Sequence, residues 1–167
     1  MTHWLDDAQR LAWVRLAAVL ELLPRALDAQ LERDEELTHY DYYCLAMLSE
    51  APERTLRMTA LAASTNATLP RLSRVMNRLE QAGLVRREPC PGDRRSTNLV
   101  LTDDGWQKVV AAAPGHVANV RSLVVDALTP EQLAQLSEIS ARLLTVLDPD
   151  QRVMASALHP PGSAPNP

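Results

Sequence analysis

Apolar residues recur about every three to four positions along most of this 167-residue chain, the spacing that lines one face of an α-helix. The first run, from Trp4 to about Arg33, places Leu5, Ala8, Leu11, Leu16, Val19, Leu23 and Leu27 in helical register. Pro24 falls inside it and is expected to kink or split the helix, because proline lacks an N–H and crowds the preceding turn. Asp34-Glu35-Glu36 ends the run, and Thr38 is placed to cap a second helix that closes near Ala51-Pro52. Thr55 to Arg57 reads as a short strand, and Thr59 to Thr65 as a short third helix. Asn66-Ala67 forms a turn, since Asn tolerates left-handed backbone angles. Thr68 caps a fourth helix with Pro70 in its first turn, and Gly83 ends it.

The period then changes. Leu84 to Glu88 and Ser96 to Leu101 are short β-prone runs on either side of Pro89-Cys90-Pro91-Gly92-Asp93, the pattern of a hairpin. Thr102 caps a fifth helix reaching about Ala127 despite Pro114-Gly115. Thr129-Pro130-Glu131-Gln132 opens a sixth, with the spacing of a capping box and proline at its first position, ending near Asp148-Pro149. The chain is therefore expected to be mainly α with a small β-hairpin wing: a winged helix-turn-helix joined to a helical dimerisation lobe. Residues 1–36 supply the first helix of that lobe, 37–102 the winged unit and 103–150 the remaining lobe helices. Residues 151–167, rich in Pro and Gly beyond His159, are expected to be disordered.

Charge sharpens this picture. Residues 54–95 hold nine arginines against Glu80, Glu88 and Asp93, a balance of +6 in a chain of net −4, which leaves −10 for the rest. A basic patch on an acidic body is an electrostatic footprint for a polyanion, and duplex DNA is the leading candidate. On a wheel of about 100° per residue, Arg71, Arg74 and Arg78 fall within roughly 60° of one another on the fourth helix. Pro70, Asn77 and Gln81 flank them, while Leu72, Val75, Met76 and Leu79 face the other way. Such a helix can dock on one side and enter a major groove with the other. Asp93-Arg94-Arg95-Ser96 at the hairpin tip adds paired arginines suited to a narrow, negative minor groove.

Other chemistries find little support. The histidines (His3, His39, His116, His159) lack metal-ligand spacing, and there is no glycine-rich phosphate loop or CxxC pair. No enzyme, metal or cofactor is implied. No apolar run approaches the roughly 18 residues that span a membrane, the N-terminus lacks a secretory pattern, and two cysteines make no disulfide framework. A cytoplasmic protein is expected.

At motif level, Leu37 to Gly105 resembles the MarR (multiple antibiotic resistance regulator) transcription factors. Matching pieces are Leu37-Thr38 with Tyr42, Leu45 with Leu48, Leu61-Ala62, Thr68 with Ser73-Arg74, and Arg78-Leu79-Glu80. They continue through Gly83-Leu84-Val85-Arg86-Arg87, Asp93-Arg94-Arg95 and Leu101-Thr102 with Gly105. Asn66 stands where glycine is usual, and Arg71-Leu72 where Thr-Val is common, which leaves the operator open. The resemblance implies a homodimer, formed by the first, fifth and sixth helices, that reads a pseudo-palindrome. It implies a repressor, less often an activator, which in many members answers to a small aromatic ligand or to cysteine oxidation. In that frame Thr68 and Arg78 bind phosphate, and Arg71, Ser73 and Arg74 meet base edges, with Pro70 and Asn77 beside them. Arg95, oriented by Asp93, enters the minor groove, while Arg94 and Ser96 contact the backbone region.

Apolar residues from Leu123 to Leu147 exceed what a winged unit can cover, which independently favours a two-fold partner. Trp13, His39, Tyr40, Tyr42 and Tyr43 are candidates to line a ligand cleft, although core and helix packing is the favoured account of them. Cys44 reads as an inert buried thiol; Cys90, near four arginines in sequence, is a candidate redox sensor, against which stand its two flanking prolines and the lack of a partner cysteine. The alternative to a DNA-binding regulator is a winged-helix protein-interaction module whose arginine face meets an acidic protein.

Overall fold

Helix α1 (Asp7–Glu35) opens the computed structural model, which describes residues 3–153 apart from the side chains of Arg94 and Arg95. It begins later than Trp4, because Asp6 and Gln9 form a capping box in which each side chain accepts the other's backbone N–H, at 2.8 and 3.0 Å. Pro24 does not split it. The proline sits on an exposed stretch, where water can satisfy the Leu20 carbonyl that loses its partner, and one helix continues to a left-handed cap at Glu36.

Helix α2 (His39–Glu50) carries the Thr38 cap read from the sequence, reciprocated by Asp41. A 3₁₀ turn at Pro52–Arg54 leads into β1 (Thr55–Arg57) and α3 (Met58–Ser64). Asn66 takes the left-handed turn at φ 49°. Thr68 caps α4 (Leu69–Gln81), and Gly83 ends it at φ 75°. Strands β2 (Val85–Cys90) and β3 (Asp93–Leu101) complete an antiparallel sheet of order β1-β3-β2. They run further toward the tip than expected. Pro89 fits because β2 is an edge strand and needs no outward N–H, and a register shift follows it. The tip narrows to Pro91-Gly92. Helix α5 (Asp103–Val120) passes through Pro114 into a π-helical turn (Arg121–Val125), and α6 (Pro130–Leu147) starts on the Thr129–Gln132 capping box. Of the segment expected to be disordered, Gln151 to Val153 form a turn in which the Asp148 carboxylate accepts the Arg152 and Val153 N–H groups; residues 154–167 lie outside the described residues.

The core explains why the winged unit holds together. Leu45 and Leu48 of α2, Leu61 of α3, Leu72, Met76 and Leu79 of α4, Val85 and Leu99 are all essentially inaccessible to water. Each such side chain contributes about 1.5–3 kcal/mol by leaving water. The lobe helices differ. No residue of α6 is buried, and α1 buries only Leu27, Gln30 and Leu31. Leu11, Val14, Leu22, Leu136, Ile139 and Leu143 remain exposed.

The wing joins α5 at a tight weld. Thr102 accepts the Gly105 N–H, donates to the Gly83 carbonyl at 2.7 Å, and gives its own N–H to Leu84. A Cβ on Gly105 would stand 2.1 Å from the Leu84 carbonyl oxygen. Gly105→Ala is therefore expected to destabilise the fold by about 1–3 kcal/mol through forced overpacking, measured as a lowered urea midpoint.

Candidate nucleic-acid interface

Helix α4 is divided lengthwise. Leu72, Met76 and Leu79 are buried in the winged core, and Pro70, Arg71, Arg74, Asn77 and Arg78 are exposed on the other side. Thr68 holds the helix start by accepting the Arg71 N–H; Pro70 has no N–H and the Leu72 N–H goes to the Thr68 carbonyl, so the first turn keeps the Leu69 N–H as its donor toward an anion. Ser73 lies at the margin nearest the wing, half-buried, its carbonyl accepting from Arg87 at 3.3 Å.

The nine arginines of the basic window do different things. Arg87 is pinned to Glu80 and the Ser73 carbonyl, stapling β2 to α4. Arg86 pairs with Glu88 on the same strand. Arg54 reaches Asp103 at 3.1 Å and stacks on Trp106, tying the β1 entry to α5. Arg78 donates to Asp41, a buried carboxylate in the first turn of α2, yet its own side chain is 58% exposed. Arg71 lies 4.5 Å over the Tyr40 ring. Among the described residues, Arg57, Arg71 and Arg74 have no carboxylate partner. The outward field of the face thus rests on fewer groups than the sequence count suggests. Arg71, Arg74 and the open side of Arg78 still share one surface.

At the wing tip, Ser96 donates its hydroxyl to Asp93 at 2.6 Å, so the start of β3, which carries Arg94 and Arg95, is braced from within. The side chains of Arg94 and Arg95, singled out for the minor groove, lie outside the described residues.

A model of the MarR family matches residues 37–96, the winged unit. The chain is 42% identical to Sco3205, a MarR-family transcriptional regulator of Streptomyces coelicolor solved in complex with DNA. That likeness has a TM-score of 0.86 and covers 90% of this chain and 94% of the other. The chain belongs to the MarR family. AbsC, another MarR-family regulator of Streptomyces coelicolor, is 39% identical with a TM-score of 0.83, over 87% of this chain and 98% of that one. PecS, an HTH-type transcriptional regulator of Dickeya dadantii (strain 3937), is 30% identical over 83% of each chain. This MarR-family protein is a winged-helix, DNA-binding regulator of transcription. Among its described residues no helix is long and apolar enough to cross a membrane.

The aromatic candidates do not assemble into one cleft within the MarR chain. Trp13 stands 57% exposed on α1, and no hydrogen bond or ring contact among the described residues joins it to the others. Tyr40 and Tyr43 brace α2 on α3, through Thr65 Oγ1 at 2.9 Å and the Ser64 carbonyl at 2.7 Å. His39 stacks on His116 of α5, ring centroids 5.7 Å apart, with Tyr42 against the same imidazole. This histidine seam, unread from sequence because 77 positions separate its members, bridges the winged unit and the lobe. His116 Nδ1 in this seam and Gln30 Oε1 are buried with no hydrogen-bond partner among the described residues. Cys44 is buried, and burial pushes its thiol up to about 12. Cys90 is also buried and donates to Asn98 Oδ1 at 2.8 Å; proximity to arginines in sequence did not reveal that it points into the hairpin.

Burial holds both imidazoles below their ordinary value of 6.5, opposed at His39 by Asp28 and reinforced at His116 by His39. Below that ordinary value the unfolded chain binds more protons than the folded one, so acidification removes stability. Lowering the pH from about 7.5 to about 5.5 should lower Tm, and His116→Gln should flatten that dependence, read by circular dichroism.

Proposed function

We propose that this MarR-family regulator acts as a homodimeric repressor on a pseudo-palindromic operator. The observation that carries the reading is the division of α4: one side locked into the winged core, the other presenting Arg71 and Arg74 without a carboxylate to neutralise them. Arg71 and Arg74 meet base edges in the major groove, with Asn77 and Pro70 alongside and Ser73 on the wing side. Thr68 with the α4 N-terminus and the free donors of Arg78 take phosphate. Arg95 enters the minor groove from a tip braced by Asp93 and Ser96, and Arg94 contacts the backbone. The DNA complex of Sco3205, similar over nearly its whole length, supports this assignment over an acidic protein partner.

The dimer is supported by α6, which buries nothing within its own chain, and by the apolar residues exposed along α1. A second copy closes both faces with one interface related by a two-fold axis. That arrangement gives two winged units for two half-sites about one helical turn apart. DNA as partner and two unbridged cysteines fit a cytoplasmic protein.

Binding to duplex should weaken linearly with log salt as counterions are released, followed by fluorescence anisotropy across a KCl series; salt-independent binding would overturn the reading. Arg74→Ala should cost about 1–3 kcal/mol and relax selectivity at one operator position. Arg95→Ala should weaken binding while the dimer persists in size-exclusion chromatography.

A further inference from the structure

Two adjacent residues of α2 lie directly behind the arginine face. Asp41 gives one carboxylate oxygen to the Thr38 N–H at 3.0 Å, as part of the helix cap, and the other to the Arg78 guanidinium. It is almost wholly buried, whereas Arg78 keeps most of its surface in solvent. Tyr40 is anchored at its far end. The Thr65 hydroxyl proton already goes to the Leu61 carbonyl at 2.8 Å, so the Tyr40 hydroxyl must be the donor to Thr65 Oγ1. The ring so fixed carries the Arg71 guanidinium on its face. Arg74, between these two on the same face, has no hydrogen-bond or ion-pair partner among the described residues.

We propose that Tyr40 and Asp41 are specificity-determining positioning residues, which set the guanidinium planes of Arg71 and Arg78 before DNA arrives. The inference rests on the assignment of α4 as the groove-reading helix. An arginine on a flexible stem loses rotamer freedom when it binds, and a fixed plane avoids that loss. Its planar fork also matches only acceptors that lie in its plane, such as the paired edge of guanine or a phosphate at the right height. A freed guanidinium follows any phosphate, which favours every sequence alike. Removing the Asp41 charge adds one positive unit beside the duplex, which strengthens non-specific binding further. The arginines of this face are thus of two kinds: Arg71 on the bases and Arg78 on phosphate are preset, and Arg74 is adaptable.

The test uses the full-length dimer and a duplex enriched from a randomised pool by the wild-type protein, set against a scrambled duplex of the same composition. Asp41→Asn and Tyr40→Leu should each weaken binding to the enriched duplex by about tenfold and leave binding to the scrambled duplex unchanged or tighter. Tyr40→Phe, which keeps the ring under Arg71, should retain most of the selectivity. In an Arg71→Ala background, Tyr40→Leu should have no further effect. If the wild type enriches no sequence, the groove-reading assignment fails and the inference with it. If it enriches one and both variants keep the wild-type ratio of affinities, the inference alone is overturned. Parallel losses on both duplexes with a lowered melting temperature, or an undiminished Tyr40→Leu effect without Arg71, also overturn it, since these mark a merely structural role.

Discussion

Burial of Leu72, Met76 and Leu79 is the constraint on which the rest depends. These side chains lie on one side of a 13-residue helix and leave water only when α4 rests on α2, α3 and the start of the hairpin. Rotating the helix to hide its arginines would expose all three, at a cost of several kcal/mol. The charged face is held outward by the apolar one. Specific attraction to an anion therefore comes from a packing decision made on the opposite side of the helix, and the electrostatics inherit their geometry from the core.

Charge in this protein is sorted by burial as much as by sign. Arg54, Arg86 and Arg87 meet carboxylates of the winged unit or of α5 and serve the fold. Exposed pairs of this kind are each worth roughly 0–1 kcal/mol, so their part is alignment more than stability. Arg78 stands between the two groups, fixed at one end by a buried acid and open at the other. The basic window in the sequence thus mixes residues that build the platform with residues that stand on it.

Local signals were legible. Thr38, Thr68, Thr102 and Thr129 mark four helix starts, each accepting a backbone N–H three residues on, because a cap is chemistry within one turn. Asn66 and Gly83 mark turns for the same reason. The Asp6–Gln9 box is a signal of the same kind, and it outweighs the apolar Trp4 in setting where α1 begins. Pro24 does not break α1, because the cost of a proline depends on whether solvent reaches the orphaned carbonyl, which sequence does not state. Long-range pairings were not legible. Asp41 and Arg78 are 37 positions apart, and nothing in either neighbourhood distinguishes that pair from Arg78 beside any other acid. Separation along the chain likewise hides the Tyr40 platform beneath Arg71 and the His39–His116 stack.

The contacts of Arg87 with Glu80 and with the Ser73 carbonyl couple the base of the hairpin to the middle of α4. Reading helix and wing accordingly behave as the two jaws of a caliper whose opening is set inside the protein. Where the spacing between neighbouring grooves departs from that opening, the adjustment falls to the double helix itself or to the few residues of the tip beyond Cys90. On the proposed groove assignments, stiffness of the DNA between the grooves would then weigh in the choice of site without a base contact there.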